Sequence, residues 1–274
     1  MDILFAQWQG SGPDNILYYG AKKIEQHLNS MDFHEISVPE TSGLTVENCI
    51  LGYKDILSQA KACAVMLKDQ DPLRIRAIGG DCGVEPVPVT YLNQKCEGDL
   101  ALVWFDAHGD LNTPETSPSG HFHGMPLRTI CGEGDPGILG TCFSALNPSQ
   151  VVLAGAREFD PPEKRFIKKN RIPVLSPRTL KENSAAVSDL IQQMGYGHVY
   201  IHIDLDVLDP EVYRNIKHPT PGGISIETLL DCITNVSSQC KIAGLGIVEF
   251  VPDGDTGLFE IEQIFNLVKL EDLP

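Results

Sequence analysis

Short apolar, β-branched runs alternate with amphipathic stretches from one end of the chain to the other, and this alternation restricts its possible folds more than any other feature. Residues 3–6, 35–38, 74–78, 100–105, 151–154, 172–175, 198–203 and 242–248 read as strands. Residues 16–27, 54–67, 162–169, 179–194 and 225–236 carry apolar side chains at helical spacing. Pro162 suits a first helical turn, and Ser225 followed by Glu227 and Thr228 suits a helix start. Strands that alternate with helices predict an α/β fold, with a mostly parallel sheet covered by helices on both faces. No linker, repeat or low-complexity segment divides the 274 residues, which predicts one domain over 1–274. In such a sheet ligands bind beyond the carboxyl ends of the strands, so the chemistry is sought there.

Charge narrows the partners. The chain has 37 acidic against 21 basic residues, a net charge of −16, and no basic run. Nucleic acid and anionic membranes, which draw affinity from clustered Lys and Arg, are excluded as expected partners. No apolar run approaches the roughly 18 residues of a membrane span. The first residues lack the basic start of a secretion signal, so a cytoplasmic location is expected. The eight cysteines form no C-x-x-C pair, which suits a reducing compartment and buried thiols. Seven are read as packing and Cys82 is set apart.

Four strand ends carry side chains able to bind metal. Gly79-Gly80-Asp81-Cys82-Gly83 follows the third run, Asp106-Ala107-His108-Gly109-Asp110 the fourth, Asp204-Leu205-Asp206 the seventh, and Glu249 the eighth. Residues two apart in an extended segment point the same way, so Asp106, His108 and Asp110 make one row. Asp204 and Asp206 make another, with His202 preceding them in phase. Carboxylates gathered so closely repel unless cations neutralise them. Oxygen donors with one or two nitrogens suit Mn²⁺ or a similar ion, and the ligands are too many for one ion. Two divalent ions are the expected cofactors. The irregular stretch from His108 to about Gly124 has the length of a functional loop. Gly132-Glu133-Gly134-Asp135-Pro136-Gly137 fits a dinucleotide fingerprint only formally, since no strand precedes it, and is read as a turn. An aspartyl-phosphate phosphatase reading of Asp204 and Asp206 leaves the Asp106–Asp110 row without a role.

The blocks GGDCG, DAHGDLNTPETSPSGHFHGMP, HIDLDVLDP and GIVEF together resemble those of the ureohydrolases, the arginase, agmatinase and formiminoglutamase superfamily. The resemblance runs in matching order from Ile78 to Glu249 and is closest to arginase-like members. It implies a three-layer α/β/α fold with an eight-stranded sheet and a Mn²⁺ pair. It implies that Asp106 and Asp204 bridge the ions, that Asp110 and Cys82 complete one site, and that His108 and Asp206 complete the other. It further implies hydroxide attack on a guanidinium carbon, with Glu249 orienting the guanidinium and His123 moving a proton to the leaving amine. By the same resemblance Asn112 and Ser119 hold a substrate α-carboxylate and Asp160 an α-amino group, while His121 is assigned no role. The implied activity is hydrolysis of arginine or a close derivative such as hydroxyarginine to ornithine and urea or a substituted urea. Agmatine, guanidinobutyrate and formiminoglutamate are alternative substrates. Family members are often trimers or hexamers, so a homo-oligomer is expected.

The chain departs from the family at three places. Cys82 replaces the usual His of the first block and Gly83 the usual Ser. A thiolate suits zinc or iron better than manganese, so three outcomes stay open: Cys82 ligates a retuned site, one site is weak or empty, or the chain is a non-catalytic binding or regulatory homologue. His202 stands where the family has a small hydroxyl residue, either as a satisfied buried His, an outer partner or a substitute ligand. Glu249-Phe250-Val251-Pro252 lacks the family's Asn before Pro. A single-metal deacylase of the same fold is disfavoured by the second acid row.

Overall fold

The structure is a computed structural model describing residues 1–268. Eight strands form its main sheet: β1 (Asp2–Phe5), β2 (Phe33–Glu35), β3 (Ile75–Gly79), β4 (Leu100–Phe105), β5 (Val151–Ala154), β6 (Val174–Leu175), β7 (His198–Asp204) and β8 (Lys241–Val248). They lie in the order β2-β1-β3-β8-β7-β4-β5-β6, and every neighbouring pair is parallel. The expected eight-stranded parallel sheet is therefore present. A short antiparallel ladder, Val46–Glu47 with Ile50–Leu51, stands apart from it.

Among the described residues ten helices follow in chain order: α1 (Ile16–His27), α2 (Tyr53–Gln70), α3 (Pro86–Lys95), α4 (Pro126–Ile130), α5 (Pro136–Leu139), α6 (Pro161–Asn170), α7 (Pro177–Glu182), α8 (Ala186–Met194), α9 (Ile226–Gln239) and α10 (Leu258–Leu267). The strand period of two sorts side chains between two apolar layers. Leu100, Leu102 and Trp104 of β4 enter one layer with Tyr200 of β7, beneath α2, α3, α4 and α6. Ala101, Val103 and Phe105 enter the other with Val199, Ile201 and Ile203, beneath α1, α7, α8, α9 and α10. Fully burying a side chain such as Phe105 contributes about 2 kcal/mol. These layers anchor β4 and β7, so the residues just beyond their carboxyl ends are held by a rigid base.

Several elements differ from the sequence reading. The edge strand pairs through Phe33–Glu35, not 35–38: the last ladder bond is the Ile36 N–H to the Leu4 carbonyl at 2.9 Å, and Val38 beyond it is buried in the core without pairing. The run at 172–175 contributes only Val174–Leu175 to the sheet. The stretch 179–194 is two helices. Asn183 between them is extended (φ −149°), and its side chain accepts the Ala185 N–H at 3.1 Å. Helical spacing does not mark α3, whose Pro86 and Pro88 occupy a first turn where the missing N–H groups have no helical partner to lose. Among the cysteines, Cys49 is exposed, contrary to the packing role. It sits with Asn48 at the tip of the short ladder, both with positive φ (52° and 60°), as a two-residue hairpin turn requires. Ser225 caps α9 as expected, accepting the Thr228 N–H at 3.2 Å. Among the described residues no helix is long and apolar enough to cross a membrane.

Candidate metal centre

The four strands that sit side by side at the centre, β3, β8, β7 and β4, are those whose carboxyl ends carry the acidic and sulfur side chains. Their convergence does not come from extended backbone, as the row reading had it, but from tight turns at the strand ends. Asp106 Oδ1 accepts the His108 N–H at 2.5 Å, and Asp204 Oδ1 accepts the Asp206 N–H at 2.7 Å. Asp206 Oδ1 then ties the two turns together by accepting the Ala107 N–H at 2.8 Å. Asp110 and Glu249 both hold left-handed backbone (φ 52° and 64°), a conformation that costs a non-glycine residue about 1 kcal/mol and clusters at functional sites. After β3 the chain passes so close to the β1 end that a Cβ at Gly80 would lie 1.9 Å from the Gln7 carbonyl oxygen. Asp81 turns away from the centre to accept from Gln7 Nε2, Gly10 N and Gly83 N at 2.8–2.9 Å, which fixes the turn bearing Cys82.

Five of the six predicted metal ligands come together. Donor atoms of Asp106, His108 and Asp206 lie within 4.8 Å of one another, as do those of Cys82, Asp204 and Glu249 and those of Cys82, Asp106 and His202. His108 Nδ1 is 2.8 Å from Asp206 Oδ2. The Cys82 thiol donates to Asp204 Oδ2 at 3.2 Å. Asp110 joins none of these groups, but its Oδ2 is buried without a hydrogen-bond partner, as are both carboxylate oxygens of Glu249.

Electrostatics make the demand for cations explicit. Burial, then the charges of Asp206 and Asp106, hold the Glu249 carboxyl well above its ordinary value. Burial and the neighbouring carboxylates act in the same direction on Asp204 and Asp110. Burial and the charges of Asp204, Asp110, Asp106 and Glu249 push the Cys82 thiol up as well. Burial alone would lower His108, but its bonds to Asp106 and Asp206 outweigh that and push it up to about 12. Divalent cations would reverse this by replacing protons at the donors. The thiol, imidazole and carboxylate donors of Cys82, Asp106, His108, Asp110, Asp204 and Asp206, with the Asp110 Oδ2 orphaned among them, would fit such ions.

Above this cluster opens a cavity of about 290 Å³ into which His108, Asp110, Asp204 and Asp206 face, with Asn112, Ser119, Asp160, His121 and His123 around it. Another cavity, of about 360 Å³, lies by Asp2, Arg76 and Phe265 at the amino ends of the strands and shares none of this chemistry. His123 Nδ1 is 3.5 Å from Glu249 Oε1, and burial lowers its pKa. Asn112 Nδ2 donates to Asp160 Oδ2 at 2.9 Å, so two of the three predicted substrate residues pair with each other. Asp160 is also the cap of α6 in a reciprocal box with Glu163. Ser119, exposed on the rim, accepts the His121 N–H at 3.2 Å.

Four residues of the site escape sequence reasoning. His218 packs its ring 5.0 Å from that of His123, and burial first, then His123, lowers its pKa to about 4. Arg157 donates to the carbonyls of Gly155, Asp206, Val207, Thr220 and Pro221, pinning the loop that carries His218. Glu85 and Trp104 lie beneath the centre and bond His202 and Asp106 respectively. Only His218 had a usable signal, a lone His in the Pro- and Gly-rich loop after the second acid row.

Comparison with known proteins agrees with this geometry. The family model described as Arginase family matches residues 9–264. The arginase of Staphylococcus aureus (strain COL) is 29% identical over 273 residues, covering 94% of this chain and 89% of that protein. The crystal structure of Entamoeba histolytica arginase in complex with L-ornithine superposes with a TM-score of 0.84 at 24% identity, covering 97% of this chain and 95% of that one. Bacillus subtilis arginase gives 0.81 at 23% identity, covering 98% and 99%. With the α/β fold, the order of the blocks and the converging ligands all in agreement, the chain belongs to the arginase family of hydrolases.

Proposed function

We propose that this chain hydrolyses the guanidino group of arginine, or of a close derivative such as hydroxyarginine, to ornithine and urea or a substituted urea. Two divalent ions, Mn²⁺ foremost, are its cofactors, held by Cys82, Asp106, His108, Asp110, Asp204 and Asp206. When bound, such a pair supplies Lewis acidity and lowers the pKa of water toward neutrality.

The observation that carries the reading is Glu249, a buried carboxylate with both oxygens free of hydrogen bonds beside the carboxylate cluster. A carboxylate left this way can accept two parallel N–H groups of a guanidinium, and that charge-assisted pair fixes the plane of the substrate. His123, 3.5 Å from Glu249 and lowered by burial, is neutral at pH 7 and can take a proton and pass it to the leaving amine. Asn112 and Ser119 hold the α-carboxylate and Asp160 the α-amino group. Agmatine, lacking the carboxylate, forfeits the first of these contacts. The relatives named arginase in Staphylococcus aureus and Entamoeba histolytica support arginine as the substrate.

The test is metal analysis followed by urea release from arginine, hydroxyarginine, agmatine, guanidinobutyrate and formiminoglutamate after loading with Mn²⁺. Turnover greatest with arginine or hydroxyarginine is expected. Fewer than one ion per chain and no turnover of any compound would overturn the reading.

A further inference from the structure

Beneath the centre lies a buried network that none of the roles above uses. Glu85 and His202 are wholly buried, and His202 Nδ1 is 2.9 Å from Glu85 Oε1. The Tyr200 hydroxyl occupies the other oxygen, donating to Glu85 Oε2 at 2.6 Å. A carboxylate only accepts, so the Nδ1 of His202 carries the proton and its Nε2 is the ring atom left over. Nε2 lies 3.9 Å from Cys82 Sγ. Cys82, His202 and Asp106 each offer one donor atom within 4.8 Å of the others.

The surroundings are built for this arrangement. Gly244 and Gly246 of β8 lie beside Tyr200 and His202 in the sheet register. A Cβ at Gly246 would sit 1.8 Å from Glu85 Oε1, and one at Gly244 would sit 2.4 Å from the Tyr200 ring. Glu85 and Tyr200 therefore fit only because β8 is bare at both positions. On its other side the His202 ring stacks on Trp104, with centroids 3.4 Å apart and an interplanar angle of 15°. The Trp104 Nε1–H is donated to Asp106 Oδ2 at 3.0 Å. One indole thus fixes the imidazole and a carboxylate of the same group. A buried carboxylate that orients an imidazole through one nitrogen, leaving the other toward a thiol, is the arrangement that steers histidines onto metals.

We propose that His202 Nε2 is a metal ligand, acting with Cys82 and Asp106, and supplies the imidazole that Cys82 removed from the first block. A thiolate and an imidazole sharing a tetrahedral ion stand about 3.6 Å apart, close to the 3.9 Å observed. With sulfur, nitrogen and oxygen donors this site leans further toward a borderline ion such as zinc or iron(II) than the sulfur-free one does, which makes the pair chemically unequal even where both hold manganese. Glu85 is a positioning residue. The inference rests on the metal-dependent reading above, which it deepens.

The test is nuclear magnetic resonance of the full chain, labelled with ¹⁵N-histidine, stripped of metal and loaded with ¹¹³Cd²⁺. The expected result is a cadmium resonance in the thiolate range, split by a histidine Nε2. Cys82→Ser moves that resonance out of the thiolate range, and His202→Asn removes the splitting. A thiolate-range resonance without nitrogen splitting in the unaltered chain overturns the assignment even if His202→Asn fails to fold. Cadmium bound only at a site coupled to His108 also overturns it, yet leaves the amidinohydrolase reading standing. No bound cadmium at all sinks both.

Discussion

Glu249→Gln is expected to abolish urea release and yet stabilise the metal-free chain. Glu249 and Asp204 present oxygens within 4.8 Å of each other, and two like charges at that separation cost about 3.5 kcal/mol at an effective dielectric constant of 20. The carboxyl escapes this cost by holding its proton, because burial, then Asp206 and Asp106, raise its folded pKa well above 4.5. The folded chain therefore binds a proton that the unfolded chain releases. Stability falls as pH rises through the window from about 4.5 to the folded pKa, at about 1.4 kcal/mol per pH unit for this group. Glutamine does not titrate. Its advantage grows from nearly nothing at pH 4.5 as pH rises through that window, up to at most about 3 kcal/mol, the order of the Coulomb figure. For a chain of this size that is roughly 6–10 °C in Tm. Thermal unfolding followed by circular dichroism, in chelator at several pH values, reads it directly. Saturating Mn²⁺ should erase the gain, since the wild-type carboxylates are then compensated. A variant less stable than wild type at pH 7, or a difference equal at pH 5 and pH 7, would mean that Glu249 does not carry a raised pKa in the folded chain.

Other perturbations follow from the same geometry. His123→Asn should lower kcat by about 10²–10⁴ with the metal content of the purified protein unchanged, as mass spectrometry of the bound ions would report. Asn112→Ala should raise KM for arginine about tenfold, the loss of one hydrogen bond to a charged group, and narrow the gap between arginine and agmatine in paired kinetics. Arg157→Met leaves the carbonyls of Gly155, Asp206, Val207, Thr220 and Pro221 without their donor. The loss should be about 2–5 kcal/mol in urea denaturation.

Much of this was legible in the sequence because buried parallel strands are continuous apolar runs. β4, β7 and β8 lie where those runs lie, and the acidic residues directly after them are the ones that converge. The period-two phase linking His202 to Asp204 also holds, since Cys82 touches both. It fails one step later, because Asp106 and Asp204 each close a turn on their own backbone. Periodicity reports a strand but not the turn that ends it. The edge strand was displaced because hydrophobicity marks where Ile36 and Val38 are buried, not where Phe33–Glu35 pairs. Glu85 and Arg157 were invisible for another reason: each acts across more than 45 positions of sequence, on His202 and on Thr220, and nothing local marks such a partner. The glycines of β8 gave no sign of their role, since the space they clear is defined by Glu85 and Tyr200 from other elements.

We propose this carboxylate, thiol and imidazole cluster as a two-ion centre for guanidino hydrolysis. Its most direct test is urea release from arginine as Mn²⁺ is titrated into the metal-free chain. Activity should climb to a plateau at two equivalents per chain. A plateau at one equivalent, or no urea at any equivalence, would contradict it.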